Sequence, residues 1–205
     1  MLKFLSLIVI IFNLTLSHKV LAHNTILLLG DSLSASYGMQ QNQGWVHLLN
    51  QQLEQQQASY RIVNASISGE TTGGGLARFD GILASQQFDI LLIELGGNDG
   101  LRGFPPKLIK HNLLQIIDKA KAQNIRVLLS KIKIPPNYGQ RYNQMFEQVF
   151  VDVAEQTNVT LLEFFIESVA TDPALMQSDG IHPNQQAQPT LAANMKALLD
   201  AALRE

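Results

Sequence analysis

The chain has 205 residues, and 15 Lys and Arg against 17 Asp and Glu give it a formal net charge of -2. No run of basic residues stands out, which excludes the electrostatic footprint of a nucleic-acid-binding protein. The chain contains no cysteine, so disulfides and a cysteine-linked lipid anchor are excluded. Its length suits one domain with a sizeable core and is too short for two comfortable ones.

The amino-terminal residues have the pattern of a signal peptide. Lys3 precedes a mostly apolar run over residues 4–16, and small residues lie three and one positions before a cut after Ala22. We therefore predict a signal peptide over residues 1–22, a single domain over residues 23–205, and a periplasmic or secreted protein. The alternative is a retained membrane anchor. The apolar run is shorter than the roughly 20 residues of a spanning helix, however, so we expect no stable membrane span.

Short apolar runs alternate along the chain with longer amphipathic segments. The runs are apolar on both faces, as parallel strands covered on both sides must be. These predicted strands cover residues 25–29, 60–64, 89–95, 126–132 and 159–162. The predicted helices cover residues 44–56, 75–85, 106–123, 140–156 and 184–203. Strands and helices that alternate in this way indicate right-handed βαβ units, so we predict an α/β fold with a parallel sheet flanked by helices.

Each predicted strand leads into a distinctive loop. Because the carboxyl ends of parallel strands meet at one edge of the sheet, where ligands bind in open α/β folds, these loops are the candidate functional segments. They are residues 30–34 (Gly-Asp-Ser-Leu-Ser), 65–71, 96–100 (Gly-Gly-Asn-Asp-Gly), 134–138 and, after a longer connection, 179–183 (Asp-Gly-Ile-His-Pro).

Residues in two of these loops could form a nucleophilic site for acyl transfer. Ser32 is the candidate nucleophile, His182 the candidate base, and Asp179 the candidate carboxylate that orients the base. Each also has an ordinary structural interpretation. Ser32 could instead cap a helix or close a turn. His182 could be a surface histidine before a helix that starts with Pro183, and Asp179 could belong to an ordinary Asp-Gly turn. From the residues around each position alone, both the catalytic and the structural interpretation stay open.

Acyl transfer by serine also needs fixed donors for the developing oxyanion. The backbone N–H groups of Ser32 and Gly69 and the side-chain amide of Asn98 are the candidates. For Asn98 the alternative is turn chemistry, because it follows two glycines and precedes an Asp-Gly pair. No single residue is decisive, but all of them stand at strand ends, in an order that a parallel sheet could bring together.

Four sequence blocks resemble those of the GDSL or SGNH hydrolase superfamily. They are the Gly-Asp-Ser-Leu of residues 30–33, Gly69, the Gly-Gly-Asn-Asp of residues 96–99 and the Asp-Gly-Ile-His-Pro of residues 179–183. The resemblance covers essentially the whole mature chain. It implies a flavodoxin-like three-layer sandwich with a five-stranded parallel sheet, and no metal or organic cofactor.

The resemblance also implies roles and an activity. Ser32 would be the nucleophile, His182 the base and later the acid, and Asp179 the orienting carboxylate. Ser32, Gly69 and Asn98 would form the oxyanion hole. The implied reaction is hydrolysis of carboxylic esters and thioesters of acyl lipids, including lysophospholipids, through an acyl-enzyme. We expect a monomer that acts on small-molecule substrates and binds no nucleic acid.

The loops that match the family are apolar enough to line an acyl groove. We predict that four residues bind the substrate, namely Leu101, Phe104, Ile134 and Tyr138. For Phe104 and Tyr138 the alternative is ordinary loop packing. The sequence therefore predicts where an acyl chain lies, but not how long that chain is.

The chain departs from the family pattern at two places. Ser36 stands where members of the family tend to have glycine, which predicts a reshaped pocket floor beside Ser32. Residues 100–106 match a mobile loop of the family, and Pro105 with Pro106 makes this segment stiffer than usual. Neither departure touches the candidate catalytic residues.

Two other functions stay open at this point. A carbohydrate acetylesterase on the same fold would keep the candidate catalytic residues and change the pocket, and the apolar loops weigh against it. A non-catalytic lipid-binding protein would keep the fold and the groove, and the presence of all four blocks weighs against it.

Overall fold

The structure is a computed structural model, and it describes residues 24–204. The predicted signal peptide over residues 1–22 lies outside the described residues, and the predicted start of the domain at residue 23 stays a prediction. Between residues 24 and 204, no helix combines the length and the apolar character needed to cross a bilayer.

In the described part of the chain, five parallel strands form one sheet in the order β2-β1-β3-β4-β5. The strands are β1 (Asn24–Gly30), β2 (Tyr60–Asn64), β3 (Ile90–Glu94), β4 (Arg126–Ser130) and β5 (Thr160–Leu162). This is the flavodoxin-like strand order, so the predicted fold class is confirmed. Strand β3 is buried along its whole length, as expected of a parallel strand covered on both faces.

Helices cover both faces of this sheet. Within the described residues they are α1 (Trp45–Gln55), α2 (Thr72–Ser85), α3 (Gly97–Leu101), α4 (Pro106–Ala122), α5 (Gln140–Thr157), α6 (Glu167–Ala170) and α7 (Gln188–Ala202). Helix α1 packs against α7, whereas α4 packs between α2 and α5. Since right-handed crossovers that move in opposite directions along a sheet cover opposite faces, α1 and α2 lie on different sides.

Several helices differ from their predicted extents. Helices α3 and α6 lie in segments predicted as loops. Helix α2 begins at Thr72 rather than at residue 75, because the Thr71 hydroxyl oxygen accepts a hydrogen bond from the Gly74 N–H at 3.1 Å and caps the helix. Helix α7 begins at Gln188 rather than at residue 184, because the side chain of Asn184 caps a separate 3₁₀ turn that comes first.

The parallel topology gives the sheet two different edges. The carboxyl ends of all five strands share one edge, here termed the carboxyl edge, and the opposite one is the amino edge. Because α1, α2, α4 and α5 run antiparallel to the strands, their amino-terminal ends also lie at the carboxyl edge. All the candidate functional loops lie at this edge.

Candidate active site

A tight turn directly after β1 presents Ser32 at the carboxyl edge. The carbonyl oxygen of Asp31 accepts hydrogen bonds from the backbone N–H groups of Ser34 at 3.2 Å and Ala35 at 3.0 Å. Asp31 and Ser34 are buried, whereas Ser32 between them is half-buried. Since the next α-helix begins only at Trp45, Ser32 does not cap a helix. Its hydroxyl is instead displayed by a rigid turn.

His182 and Asp179 lie opposite Ser32, in the segment that precedes α7. The distance from His182 Nε2 to Ser32 Oγ is 2.8 Å, and the distance from His182 Nδ1 to Asp179 Oδ2 is 2.7 Å. The His182 carbonyl accepts a hydrogen bond from the Gln177 N–H at 2.7 Å, which holds the segment in place. The structure thus joins the three candidate residues in one chain of hydrogen bonds.

The environment of Asp179 keeps its carboxylate charged. Burial acts to raise the pKa of Asp179. It is outweighed by hydrogen bonds from the backbone N–H of His182, from the His182 ring and from the backbone N–H of Ile181, which lower this pKa to about 2. A charged carboxylate accepts a hydrogen bond from Nδ1–H of the ring. The other ring nitrogen, Nε2, then presents its lone pair to the Ser32 hydroxyl.

Tyr37 packs against the His182 ring. The two ring centroids are 4.2 Å apart, with an angle of 32° between the ring planes. This contact limits how far the imidazole can tilt away from Ser32. No sequence motif predicts this role, because a contact between residues 37 and 182 has no local signal in the chain.

Asn98 lies in the first turn of α3. Its Nδ2 donates a hydrogen bond to Asp31 Oδ2 at 3.0 Å, and the second hydrogen of the amide is not used by Asp31. Gly96 allows α3 to follow β3 this closely, since its φ is +123° and a Cβ at this position would lie 2.9 Å from Phe150 Cζ. The short helix therefore fixes the position of the Asn98 amide relative to the turn that carries Ser32.

Gly69 lies in the loop between β2 and α2, with a φ of +79°. Arg102 Nη2 donates a hydrogen bond to the Gly69 carbonyl oxygen at 3.0 Å, which orients the loop. Within residues 24–204, neither the Gly69 N–H nor the Ser32 N–H donates to another group of the protein. Both N–H groups are thus available to a ligand. The sequence motifs gave no sign that Arg102 anchors this loop.

Two buried carboxyl groups, Asp31 and Glu94, lie beneath the Ser32 turn. Glu94 Oε2 accepts hydrogen bonds from the Ser34 hydroxyl at 2.7 Å and from the Asp31 N–H at 3.4 Å, whereas its Oε1 is buried without a partner. Burial raises the pKa of Glu94 well above its usual range, and the nearby charge of Asp31 raises it further. Burial also raises the pKa of Asp31, against hydrogen bonds from Leu33 and Asn98 that lower it. The surroundings of Glu94 therefore favour the protonated, neutral form of its carboxyl group.

A second buried network holds α3 in place. Asp99, next to Asn98, accepts hydrogen bonds from the Thr72 N–H at 2.8 Å and the Thr72 hydroxyl at 2.6 Å. Asn112 of α4 donates to the same hydroxyl at 3.0 Å. These bonds tie α3 to the start of α2 and to α4, which explains why a helix of so few residues is ordered.

A cavity of about 360 Å³ opens beside Ser32 and Asn98. This volume lies within the range of pockets that bind small molecules. Its walls are mainly apolar and include Leu33, Leu101, Ile132, Ile134, Phe164, Ile166, Met176 and Ile181. Lys133 and Glu167 also line it, and they form an ion pair with each other.

The four predicted substrate-binding residues divide into two pairs. Leu101 and Ile134 line the cavity, whereas Phe104 and Tyr138 are not among its lining residues. Phe104 is half-buried, and its carbonyl oxygen accepts a hydrogen bond from the Tyr142 hydroxyl at 2.7 Å. Tyr138 is exposed at the carboxyl edge. Most of the residues that line the cavity lie in the segments after β4 and β5.

Ser36 does not form the pocket floor that its sequence position predicts. It is not among the residues that line the cavity, and its side chain points towards Gly44. Its φ is +59°, in the left-handed region that glycine adopts without strain. Glycine would be favoured at this position by the backbone conformation rather than by a need for space beside a ligand.

The chain belongs to the GDSL-like Lipase/Acylhydrolase family, whose profile matches residues 28–188. The predicted resemblance is confirmed. As a member of this family of acylhydrolases, the protein is a hydrolase that acts on ester bonds.

Similar proteins agree with this assignment. The chain is 48% identical over 174 residues to Esterase TesA of Pseudomonas aeruginosa, covering 85% of this chain and 87% of the relative. It is 46% identical over 182 residues to Thioesterase 1/protease 1/lysophospholipase L1 of Escherichia coli, covering 89% and 86%. A crystal structure of the psychrotrophic esterase EstA from Pseudoalteromonas sp., inhibited by monoethylphosphonate, superposes with a TM-score of 0.87 at 47% identity. That superposition covers 89% of this chain and all of EstA.

Proposed function

We propose that this protein is an exported serine hydrolase that cleaves carboxylic esters and thioesters of acyl lipids through an acyl-enzyme. The observation that carries the proposal is the chain of hydrogen bonds from Ser32 Oγ to His182 Nε2 at 2.8 Å and from His182 Nδ1 to Asp179 Oδ2 at 2.7 Å. This is the geometry in which a histidine can take the serine proton while a carboxylate stabilises the imidazolium.

The first half-reaction forms the acyl-enzyme. Ser32 Oγ attacks the carbonyl carbon of the substrate while its proton moves to His182 Nε2. The tetrahedral intermediate then collapses, the bond to the leaving alkoxide or thiolate breaks, and the leaving group takes the proton from Nε2. Asp179 stays ionised throughout and stabilises the charged ring. In the second half-reaction, water loses a proton to Nε2, attacks the acyl group, and Ser32 leaves with that proton.

The oxyanion that forms in each half-reaction is negatively charged and needs donors that are already in place. We assign the backbone N–H groups of Ser32 and Gly69 and the second Nδ2 hydrogen of Asn98 to this task. Support comes from the two N–H groups that the protein leaves unused, and from Asp31, which accepts the other amide hydrogen of Asn98. Asp31 is thus proposed as a positioning residue for Asn98.

The mainly apolar cavity beside Ser32 supports an acyl chain as the group that is transferred. Leu101 and Ile134 are proposed to contact this chain, together with Phe164 and Ile166 on the β5 side. The thioester and lysophospholipid substrates are suggested by the name of the Escherichia coli relative. Phe104 and Tyr138 lie outside the cavity lining, so contacts with them would involve the part of the substrate beyond the cavity.

Export is proposed from the sequence of residues 1–22. The basic start, the short apolar run and the small residues around Ala22 support cleavage after that residue. Sequencing the amino terminus of protein recovered from the periplasm or the medium tests this. A chain that begins at His23 supports the proposal, and an intact residue 1 in membrane fractions contradicts it.

A pair of serine variants tests the catalytic assignment. Ser32→Ala should lose covalent labelling by a fluorophosphonate and lower kcat for p-nitrophenyl butyrate by roughly 10⁴-fold or more. Ser59→Ala, which removes an exposed serine at the amino edge, is the matched control and should keep both properties. If Ser32→Ala were still labelled and active, the assignment would be wrong.

A substrate series on the wild-type enzyme tests the acyl-lipid assignment. Esters and thioesters of increasing chain length, together with lysophospholipids, should be cleaved faster than acetylated sugars. A preference for acetylated sugars would instead indicate a carbohydrate acetylesterase. No hydrolysis above the level of Ser32→Ala would indicate a lipid-binding protein.

A further inference from the structure

The exposed large hydrophobic side chains lie at one end of the molecule. Within the described residues they are Tyr37, Ile67, Leu108, Tyr138 and Met145, each between 37% and 50% exposed. Tyr37, Ile67 and Tyr138 lie in the loops after β1, β2 and β4, and Leu108 and Met145 lie in the first two turns of α4 and α5. All five are therefore at the carboxyl edge. Single exposed hydrophobic residues are common, but their segregation to one end is not expected of a uniform surface.

The segments that carry these side chains are bonded to one another. The hydrogen bond of Arg102 described above joins the loop after β2 to the segment between α3 and α4. The Tyr142 hydroxyl of α5 donates to the Phe104 carbonyl oxygen at 2.7 Å. Lys107 and Met145 line a common cleft between α4 and α5. The loop after β2, the segment between α3 and α4, and the first turns of α4 and α5 thus form one continuous surface.

Two exposed cations accompany the hydrophobic side chains. Lys107 and Arg141 are the second residues of α4 and α5, and neither forms an ion pair within the described residues. The first turn of each helix contains no acidic residue. Because the helix dipole favours acidic side chains at this position, a cation there opposes the local preference in both helices. Local preferences of this kind are typically broken where a surface has a function.

The acidic residues nearby do not cancel these two charges. Glu70 is paired with Arg78, and Asp152 of the cleft is paired with Lys110. Glu147, in the second turn of α5, lies on the side of that helix that faces Lys131 and Lys133. The surface between α4 and α5 therefore presents positive charge next to exposed apolar side chains.

We propose that this surface, defined by Ile67, Lys107, Leu108, Arg141 and Met145, docks the protein onto an anionic lipid bilayer with the carboxyl edge facing the lipid. It is termed the docking surface below. The apolar side chains would enter the interface, and the two cations would face the phosphates of the headgroups.

The docked orientation has a consequence for the substrate. The cavity beside Ser32 opens at the same edge, so an acyl chain could pass from the lipid into the cavity without crossing bulk water. This part of the inference rests on the proposed function. The binding itself does not, because it requires no reaction at Ser32.

Vesicle sedimentation in the Ser32→Ala background tests the docking surface, because that background does not hydrolyse the lipid. Each protein is purified after export, so that all of them share one amino terminus. The starting protein should partition onto vesicles of phosphatidylcholine with phosphatidylglycerol more strongly than onto pure phosphatidylcholine, and added salt should reduce the difference.

Two double variants separate the contributions of the charged and the apolar side chains to partitioning onto vesicles. Lys107→Gln with Arg141→Gln should lower the partition coefficient on anionic vesicles by roughly 25-fold, from about fivefold for each cation near the surface. Leu108→Ser with Met145→Ser should lower it by roughly tenfold or more on both kinds of vesicle, since partly exposed side chains lose burial in the interface.

A matched control shows whether vesicle binding depends on the docking surface or only on the net charge of the protein. Arg61→Gln with Lys121→Gln removes the same charge from exposed residues near the amino edge and should leave partitioning unchanged. An equal loss in this control, or no preference of the starting protein for anionic vesicles, would overturn the proposal. A concentration-dependent rise in mass without vesicles, lost in Leu108→Ser with Met145→Ser, would identify a second copy of the chain as the partner and also overturn it.

A soluble ester separates this proposal from the proposed function. In proteins that retain Ser32, all of these double variants should hydrolyse p-nitrophenyl butyrate at the wild-type rate, because none of the changed residues is assigned to the reaction. Normal hydrolysis without vesicle binding would refute only the docking surface. Vesicle binding without any hydrolysis by the wild-type chain would refute only the serine hydrolase.

Discussion

The two edges of the sheet are built by the same strands and helices, yet they present different surfaces. The carboxyl edge holds the Ser32 turn, the cavity and the exposed large hydrophobic residues. The connections at the amino edge expose side-chain amides instead, namely Gln55, Gln56, Gln57, Gln86, Gln87, Gln123, Asn124, Gln156 and Asn158. Side-chain amides are hydrated and uncharged, so these connections can face water.

The difference follows from what each kind of connection has to do. The amino-edge connections are short turns, in which Gln57, Asn124 and Asn158 adopt a positive φ to end α1, α4 and α5. They reverse the chain and do little else. The carboxyl-edge loops are longer and contain α3, α6 and several 3₁₀ turns, which gives them the freedom to direct side chains towards a ligand. The candidate functional side chains thus lie at the carboxyl edge because the strands are parallel and because the loops at that edge are longer.

Among variants that keep Ser32, the largest expected effect belongs to Asn98, the proposed oxyanion donor at the carboxyl edge. Asn98→Ala should lower kcat by roughly 10²- to 10³-fold, because the transition state would lose a donor that is already in place. KM should change much less. Steady-state kinetics with p-nitrophenyl butyrate measure both values. Gln87→Ala removes an exposed amide from the amino edge and should change neither, whereas a normal kcat in Asn98→Ala would remove Asn98 from the oxyanion hole.

A smaller loss of kcat is expected when Asp31, the hydrogen-bond partner of the Asn98 amide, is changed. The two carboxylate oxygens of Asp31 accept hydrogen bonds from the Leu33 N–H and from Asn98. Asp31→Asn keeps the shape but loses one acceptor, so Asn98 is less firmly held and kcat should fall by roughly tenfold or more.

A double-mutant cycle shows whether Asp31 acts through Asn98. In the Asn98→Ala background, Asp31→Asn should lower kcat by a much smaller factor than it does in the wild-type enzyme. Additive losses would show that Asp31 acts on the reaction by another route. If Asp31 had only a structural role, Asp31→Asn would lower stability in both backgrounds, and its effect on kcat would not depend on the presence of Asn98.

The next largest effect concerns Glu94 at the carboxyl edge, which is expected to make the free energy of unfolding depend on pH. The pKa of Glu94 is raised in the folded state by burial. The folded protein therefore holds a proton that the unfolded chain releases above its ordinary carboxyl pKa. This stabilising contribution is complete at low pH and is lost as the pH rises towards the raised pKa.

Glu94→Gln tests this contribution, because the amide is neutral at every pH. Compared with the wild-type protein, its free energy of unfolding should decline less as the pH rises from about 5 to 9, a range that starts just above the ordinary Glu pKa. Urea denaturation at a series of pH values measures the decline. Asp89→Asn, which changes an exposed carboxylate at the amino edge next to β3, should follow the wild-type curve. Parallel curves for wild type and Glu94→Gln would mean that Glu94 is charged in the folded protein.

The smallest effect is expected at the amino edge. Gln57 has a φ of +50°, and glycine adopts this conformation without the strain of a side chain. Gln57→Gly should therefore raise the free energy of unfolding by about 0.5 to 1 kcal/mol without changing kcat. Gln87→Gly, at an exposed position of the same edge without a positive φ, should be neutral or destabilising. Lower stability in Gln57→Gly would show that its side chain has a contact that outweighs the strain.

The elements that follow directly from sequence patterns were predicted well. The run Ile-Leu-Leu-Ile at residues 90–93 is apolar on both faces, and it became the fully buried strand β3. Helix boundaries were predicted less well where a side-chain cap moved them, as at Thr71 and Asn184. Helix α3 was missed because its residues, Gly-Asn-Asp-Gly-Leu, favour a turn locally. It is held by Asp99, through hydrogen bonds to α2 that no local pattern encodes.

The amino-acid sequence was sufficient for the fold class and for the identity of the candidate catalytic residues. The fold class follows from short-range patterns, because buried parallel strands are continuously apolar. The candidate catalytic residues follow from their positions in loops after the strands, together with the resemblance of their sequence blocks to those of the family. The contacts that shape the site were decided by the tertiary structure. They include Tyr37 on His182, Arg102 on the Gly69 loop and the buried acid Glu94 beneath the Ser32 turn. The same is true of the docking surface, because which apolar side chains stay exposed depends on how helices pack, and packing joins residues that are far apart in the chain.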